Sequence, residues 1–285
     1  MREPMRTLLL AALLVLPLPL AAADEDESPC GMCHDEVAAR LAMTPHGRGE
    51  RGSPSCESCH GDGTAHVEEG GDPALIRVPR GSDAPDVCLE CHQGTMQRSL
   101  PGSAAHQGAA VYCGDCHRIH PGDEPVRGGL LRNAADPLCI ACHPRIERSF
   151  ERPFGHDVER AAMQCVSCHD PHAGTGERSL RLDRSGELPC FDCHAEKRGP
   201  FVFPHVSGIA GDCMSCHEPH GSSNPVALTR ANVYQLCLEC HSDLGDGTLG
   251  SQPPSFHNLR DPRYRECTTC HVAVHGSNTS PGLLR

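Results

Sequence analysis

The sequence contains few of the side chains that normally build a protein interior. It has no tryptophan, three tyrosines and six phenylalanines, so that aromatic residues make up 3% of 285 residues, while 29 glycines and 25 prolines interrupt it. A chain of this length needs more apolar surface than this to form a conventional core. The composition alone is typical of a disordered chain. A stable fold therefore requires buried apolar surface from a source other than the side chains.

The sequence is also poor in positive charge. The formal net charge is −12, and Lys197 is the one lysine among 25 basic residues. Removal of Arg2, Glu3 and Arg6 with an N-terminal leader changes the net charge to −13. Nucleic acid is a polyanion that binds basic surfaces, so it is excluded as a natural partner.

Long apolar runs are missing everywhere except at the N-terminus. Residues 1–23 have the pattern of a secretory signal peptide: a basic start, an apolar run at residues 8–20 and an Ala21-Ala22-Ala23 cleavage site. The alternative is a membrane anchor, but the run is shorter than the ~20 residues of a spanning helix and contains Pro17 and Pro19. We therefore expect an exported chain of 262 residues that starts near Asp24, with no transmembrane helix of its own.

Cysteine outside one repeated motif is also absent. Cys-x-x-Cys-His is the attachment signature of c-type haem, in which two thiols bond to the haem vinyl groups and the histidine binds iron. The motif occurs ten times and uses all 20 cysteines, so none is left for disulfides or a catalytic thiol. The candidate haem-binding cysteines are Cys30, Cys33, Cys56, Cys59, Cys88, Cys91, Cys113, Cys116, Cys139, Cys142, Cys165, Cys168, Cys190, Cys193, Cys213, Cys216, Cys237, Cys240, Cys267 and Cys270.

The histidine count matches the motif count. Ten histidines close the motifs, namely His34, His60, His92, His117, His143, His169, His194, His217, His241 and His271. Ten remain as candidate second iron ligands, namely His46, His66, His106, His120, His156, His172, His205, His220, His257 and His275. Zinc sites would leave these ten unexplained, and a disulfide framework would not place a histidine after every second cysteine. Ten covalent haem c groups with iron are the predicted cofactors.

A repeat of about 50 residues organises the chain. Each unit contains an odd-numbered motif, a middle histidine, an even-numbered motif and a closing histidine, and successive units start 58, 51, 51 and 47 residues apart. Such a period indicates stacked modules rather than separate domains. The predicted fold is a multihaem cytochrome c of irregular loops and short α-helices with little or no strand. It forms an elongated array of five dihaem modules at about 28–87, 88–138, 139–189, 190–236 and 237–276.

Local patterns predict a few helices in this array. Residues 35–43 carry apolar residues on one helical face, and Pro144 is suited to the first turn of a helix that continues to Phe150. The segments between units are rich in Gly, Pro and Asp and are predicted to be irregular.

Histidine spacing predicts which haem each second ligand serves. In units two to four the closing histidine lies three residues after the motif histidine, too close to reach the far face of the same iron. We therefore expect it to serve the odd haem of its own unit, while the middle histidine serves the even haem; a haem in an adjacent unit is the alternative acceptor of the closing histidine. The expected assignments are His120 to the Cys88 haem, His172 to the Cys139 haem, His220 to the Cys190 haem, His106 to the Cys113 haem, His156 to the Cys165 haem and His205 to the Cys213 haem.

The motifs in combination resemble a known family. The ten Cys-x-x-Cys-His motifs, the run Cys59–Val67, the Cys-His-x-Pro-His segments and the closing run His275–Asn278 are similar to those of DmsE/MtrA-type periplasmic decahaem c-type cytochromes. The resemblance covers essentially the whole mature chain. It implies a periplasmic electron carrier, and several members lie inside an outer-membrane β-barrel porin that connects the periplasm with the cell exterior.

Iron with two histidine ligands has no open position for a substrate, so the residues indicate electron transfer by a carrier that is not an enzyme. The resemblance favours a conduit that exchanges electrons with periplasmic redox proteins, a β-barrel porin and an extracellular multihaem cytochrome. The alternatives are a freely diffusing periplasmic shuttle to a terminal reductase and a multihaem reductase. The reductase needs an iron without a second ligand, and the sequence contains no Cys-x-x-Cys-Lys variant and no missing histidine.

Overall fold

The computed structural model describes residues 29–49, 52–96, 105–123, 127–158, 162–172, 178–205, 213–241 and 261–284. The expected signal peptide and His257 lie outside these residues. Within them, no helix combines the length and the apolar character needed to cross a membrane.

Short helices joined by irregular segments make up the described chain, as expected for a multihaem cytochrome. The α-helices are α1 (Asp35–Leu41), α2 (Cys56–His60), α3 (Thr64–Glu68), α4 (Ala84–Met96), α5 (Ala105–Gly108), α6 (Cys113–Cys116), α7 (Ala135–Ile140), α8 (Pro144–Phe150), α9 (Cys165–Cys168) and α10 (Val233–Leu238). The 3-10 turns are Pro29–Met32, Pro73–Leu75, Gly81–Asp83, Gly128–Leu130, Pro189–Asp192, Ala195–Lys197, Cys213–Ser215, Pro225–Ala227, Pro262–Tyr264 and Cys267–Thr269.

Two helices form where local patterns predict them. α1 covers most of the predicted apolar stripe, and its first turn contains Asp35 and Glu36, which complement the helix dipole. α8 starts at Pro144, whose fixed φ suits the first helical position and whose missing N–H is not needed there. Both helices directly follow an odd-motif histidine. The odd motifs at His34 and His143 therefore continue into a helix.

Strand structure is limited to one short antiparallel pair and isolated bridges in the described residues. β1 (Phe203–Pro204) pairs with β2 (Gly276–Ser277), in the register Phe203 with Ser277 and Pro204 with Gly276. Single bridges join His117 with Leu131, Phe154 with Ser222, His169 with Leu180 and His217 with Leu228. Several of these bridges fix a motif histidine or the neighbour of another histidine.

Side chains alone form almost no core. Among the described residues, the buried apolar side chains are Ala84, Val87 and Leu130. Thr44, Ser222 and Ser277 are also buried, and each lies close in sequence to a histidine outside the motifs. The scarcity of buried apolar side chains agrees with the composition. The best-packed positions are those that support histidines.

Candidate haem sites

Each described motif lies within or against one helical turn. The turn places the first and second cysteines, three residues apart, on the same side of the backbone. The backbone N–H of the motif histidine then donates to the carbonyl of the first cysteine, for example from His117 to Cys113 at 2.8 Å and from His271 to Cys267 at 2.9 Å. The backbone itself therefore places two thiols and an imidazole together, as one haem attachment site requires.

Nine motif histidines face one histidine each from outside the motifs. The ring centroids of these pairs lie 5.7 to 6.3 Å apart. The pairs are His34–His66, His46–His92, His60–His120, His106–His143, His117–His172, His156–His194, His169–His220, His205–His241 and His217–His275. His257, another candidate second ligand, lies outside the described residues.

The ring separations test whether these pairs fit an iron held from two opposite faces. With a metal–nitrogen bond of about 2 Å, two imidazoles on opposite sides of one metal have centroids about 6.3 Å apart, whereas tetrahedral ligands have centroids about 5 Å apart. The observed range of 5.7 to 6.3 Å lies nearer the opposed arrangement. The described residues contain no group of three or more His, Cys, Asp or Glu side chains arranged to hold a metal ion. The histidine pairs therefore fit haem iron with two axial ligands.

The partners expected within each unit are wrong, whereas the exclusion behind them and the alternative of a haem in an adjacent unit agree with the ring pairs. No closing histidine faces the motif histidine that it follows; His172, for example, faces His117 of the preceding unit rather than His169 or His143. In the same way His120 faces His60, and His220 faces His169. The middle histidines His106, His156 and His205 face the odd-motif histidines of the following unit, at His143, His194 and His241.

Backbone direction explains this error. The even-motif histidines His117 and His169 leave their helical turn in an extended conformation, with ψ of 144° and 142°. Three extended residues span about 10 Å, which carries the closing histidine away from its own unit. The odd-motif histidines His34 and His143 instead start helices with ψ of 39° and 49°. Sequence spacing excludes the nearest iron, but it contains no information on these two directions.

Six of the second histidines have a lowered pKa, which favours the neutral form that metal binding requires. Burial lowers the pKa of His46, His120, His172, His205, His220 and His275, and the facing motif histidine lowers it further in each case. A neutral imidazole keeps a lone pair on one ring nitrogen. These rings are therefore prepared to act as ligands at neutral pH.

Sulfurs of consecutive motifs are neighbours along most of the chain. Burial raises the pKa of Cys88 to about 11, with the thiol of Cys113 as the next cause. Burial and Cys267 raise the pKa of Cys237 to about 12. A thiol of an adjacent motif likewise raises the pKa of Cys59, Cys116, Cys165, Cys168, Cys190 and Cys237, through Cys91, Cys139, Cys139, Cys193, Cys213 and Cys216 respectively. These thiols stand for the thioether sulfurs of the haem-bound protein. The motifs from Cys56 to Cys267 therefore form an unbroken series in sequence order.

In two places, an antiparallel backbone contact joins two segments from neighbouring units, and each segment contains one candidate second ligand. We call this arrangement a histidine clasp. In the first clasp, residues 154–156 pair with residues 220–222, through hydrogen bonds from the Phe154 N–H to the Ser222 carbonyl (3.1 Å) and from the Ser222 N–H to the Phe154 carbonyl (2.6 Å). His156 also donates from Nδ1 to the Pro219 carbonyl at 2.9 Å. In the second clasp, β1 and β2 join the segments that contain His205 and His275. Each clasp therefore fixes the candidate second ligands of two consecutive motifs.

Glycine makes the close approach in both clasps possible. Gly221 has φ of 124°, and a Cβ at this position would overlap the carbonyl oxygen of Ser149. Gly276 has φ of 142°, and its Cβ would overlap the ring of Phe201. The following serines, Ser222 and Ser277, are buried and accept hydrogen bonds from backbone N–H groups. Sequence reasoning missed these residues, although the repeated His-Gly-Ser at 220–222 and 275–277 was a usable signal.

Comparisons with known proteins agree with this site. A family model described as a doubled CXXCH motif matches residues 156–199 and 205–246. The multiheme cytochrome MtrA of Shewanella baltica (strain OS185) is 33% identical over 277 aligned residues, which cover 90% of this chain and 79% of that protein. The motifs point to covalently bound haem c, and the similarity extends over nearly the whole sequence. The chain therefore belongs to the MtrA family of multihaem c-type cytochromes, which transfer electrons through haem.

Proposed function

We propose that the chain carries electrons along ten covalent haems, each held by two histidines. The observation that supports this most strongly is the set of nine opposed histidine pairs, each of which joins a motif histidine to a candidate second ligand. Each of the ten motifs would attach one haem through its two cysteines, and the haem iron would supply a one-electron couple. The chain's own residues would fix the iron between two imidazoles and hold neighbouring haems together.

The arrangement supports an electron carrier rather than an enzyme. Two histidines fill both axial positions of an iron, so no position remains where a substrate binds. A multihaem reductase is the competing reading, and it requires at least one open iron. Carbon monoxide tests this difference because it binds ferrous haem only at an open position. We expect the reduced protein to keep its visible spectrum under carbon monoxide, and a shift of the haem bands would support the reductase.

We further infer that the protein is the periplasmic component of an outer-membrane conduit. The family resemblance supports this role, and so does the series of neighbouring motifs from Cys56 to Cys267. In such a conduit electrons enter at one end of the series and leave at the other. The partners would be periplasmic redox proteins, a β-barrel porin that surrounds the chain and an extracellular multihaem cytochrome.

An interior break in the series distinguishes the conduit from a diffusing shuttle. His172 faces His117, so His172→Ala should open the iron of the Cys113–Cys116 haem, inside the series. In vesicles that contain this chain and an outer-membrane β-barrel of the proposed kind, we expect an external reductant to reduce an enclosed dye through the wild type. Transfer through His172→Ala should be several-fold slower.

The matched control is Gly114→Ala, which lies in the same motif and whose added Cβ would meet nothing within 4 Å. This variant should transfer electrons at the wild-type rate. A shuttle exchanges electrons at any exposed haem and works without a barrel. Equal rates for wild type and His172→Ala, or transfer that does not depend on the barrel, would therefore contradict the conduit.

A further inference from the structure

A second repeated element, separate from the histidine clasps, follows the even-numbered motifs. We call it the return turn and define it by three consecutive residues: an acceptor, a turn residue with positive φ and a leucine. It occurs at residues 129–131, 178–180, 226–228 and 282–284. The turn residues Leu130, Ser179, Ala227 and Leu283 have φ of 55°, 45°, 55° and 56°. Positive φ is sparsely populated by non-glycine residues, yet four of them adopt it at equivalent positions. The repeat therefore requires this turn geometry.

Each return turn directs one carbonyl oxygen to the Nδ1 atom of an even-motif histidine. The distances are 2.5 Å from His117 to Gly129, 2.8 Å from His169 to Arg178, 3.0 Å from His217 to Val226 and 2.6 Å from His271 to Gly282. A carbonyl oxygen can only accept, so Nδ1 must carry the proton. Nε2 is then the nitrogen with a free lone pair for a metal.

Backbone hydrogen bonds hold the acceptor in place. The carbonyl of the turn residue accepts from the backbone N–H that follows the motif, for example from Arg118 to Leu130 at 2.7 Å and from Glu218 to Ala227 at 2.7 Å. At Val226 the strain is most visible, because this β-branched residue itself has φ of 49° and its side chain is exposed. The strained backbone places the Val226 carbonyl oxygen beside Nδ1 of His217.

A comparable carbonyl acceptor for Nδ1 is not found on the odd-motif histidines His34, His143 and His241 within the described residues. His194 has the carboxylate of Glu196 at 3.9 Å instead. The odd motifs at His34, His143 and His194 are followed by helical turns, at Asp35–Leu41, Pro144–Phe150 and Ala195–Lys197, so the chain there does not turn back. Return turns therefore follow four of the five even motifs, and in the remaining one the Arg77 carbonyl accepts from Nδ1 of His60 at 2.8 Å.

We propose that the return turns are positioning elements that lower the reduction potentials of the four haems attached beside them. This inference rests on the proposed ligation by His117, His169, His217 and His271. A hydrogen bond from Nδ1–H to a carbonyl makes the imidazole a more basic ligand and fixes its orientation. A more basic ligand stabilises ferric over ferrous iron, so the potential falls. Loss of the carbonyl should raise the potential of that haem alone.

Val226 offers a matched pair of variants for a potentiometric titration. Val226→Pro cannot adopt positive φ because the proline ring fixes φ near −65°, so the carbonyl must move away from His217. Val226→Gly keeps the turn because glycine adopts positive φ without strain. We expect one component in ten to move to higher potential in Val226→Pro and no component to move in Val226→Gly. Unchanged potentials in Val226→Pro, or the same shift in both variants, would overturn the proposal.

Truncation provides a second test at another haem. A chain that ends at Pro281 lacks the carbonyls that His271 and Ala273 use, at Gly282 and Leu283. Its control is Leu284→Ala, which keeps the whole backbone of the turn. One component should again rise in potential in the truncated chain only. A low-spin, ten-haem truncated protein with unchanged potentials would contradict the role of the turn while leaving the proposed function intact.

A variant or truncated protein in which the haem loses an axial ligand would not report on the hydrogen bond alone. The wild-type protein provides the test in that case. Ferrous low-spin haem is diamagnetic, so NMR of the fully reduced, histidine-labelled protein resolves ring N–H protons. The Nδ1 protons of His117, His169, His217 and His271 should exchange slowly with D2O. Fast exchange of these protons would overturn the proposal, whereas missing haems or high-spin iron in the wild type would contradict the proposed function instead.

Discussion

Gly221→Ala tests whether the histidine clasps hold the second ligands of two haems at once. Gly221 lies between His220, which faces His169, and Ser222, which pairs with Phe154 next to His156. Its φ of 124° is disfavoured for alanine, and the added Cβ would overlap the backbone carbonyl of Ser149. A backbone atom cannot move aside as a flexible side chain can. The clasp itself must therefore open.

The expected cost follows from the contacts that the substitution disturbs. A non-glycine residue in this backbone region costs about 1–3 kcal/mol. The two backbone hydrogen bonds between Phe154 and Ser222 contribute about 1 kcal/mol each. We expect a loss of about 3–5 kcal/mol from the free energy that closes the clasp. Ligands on both sides, His156 and His220, should be released together.

Electron paramagnetic resonance of the oxidised protein measures this release. Gly221→Ala should show high-spin ferric iron at the haems of His169 and His194, two of the ten, and a lower midpoint of unfolding. Gly114→Ala is the control, because an added Cβ there meets nothing within 4 Å. A Gly221→Ala protein with the wild-type spectrum and stability would refute the clasp. High-spin iron at any other haem would refute the assignment of ligands.

Three further outcomes are expected. The ring of His120 faces His60, so His120→Ala should make the Cys56–Cys59 haem high-spin and leave the Cys88–Cys91 haem low-spin. High-spin iron on Cys88–Cys91 would contradict this pairing. The rings of His46 and His92 are perpendicular, at 90°, so the haem between them should give a large-gmax low-spin signal that disappears in His46→Ala. A chain expressed without haem attachment should give the circular dichroism of a largely unfolded protein, because its described side chains bury so little apolar surface; a native-like spectrum would contradict this.

Residue counts predicted most of the site's composition. Ten motifs and ten additional histidines indicate haem with two histidine ligands, and the structure brings together each pair whose members it describes. Helices α1 and α8 were also predictable, because an apolar stripe and a proline at the first turn act over a few residues. Local patterns suffice where the determining contacts are local.

The pairing of histidines was not predictable in this way. His172 reaches His117 because the backbone after His169 is extended. The ring of His117 is oriented by the return turn at residues 129–131. The number of residues between two histidines does not indicate the direction of the backbone after a motif or the orientation of a ring. The return turns themselves left a signal in the similar runs Gly129–Arg132 and Gly282–Arg285. The sequence does not show that the carbonyl of each turn lies next to the Nδ1 atom of a motif histidine; the three-dimensional structure does.

The number and ligation of haems in one preparation test the central claim most directly. Intact-protein mass spectrometry of the mature chain should show ten haem increments, one for each Cys-x-x-Cys-His motif. Electron paramagnetic resonance of the same oxidised sample should show low-spin iron throughout, because every iron is expected to have two histidine ligands. Fewer than ten haems, or a stoichiometric high-spin iron in the wild type, would contradict electron transfer along ten histidine-ligated haems.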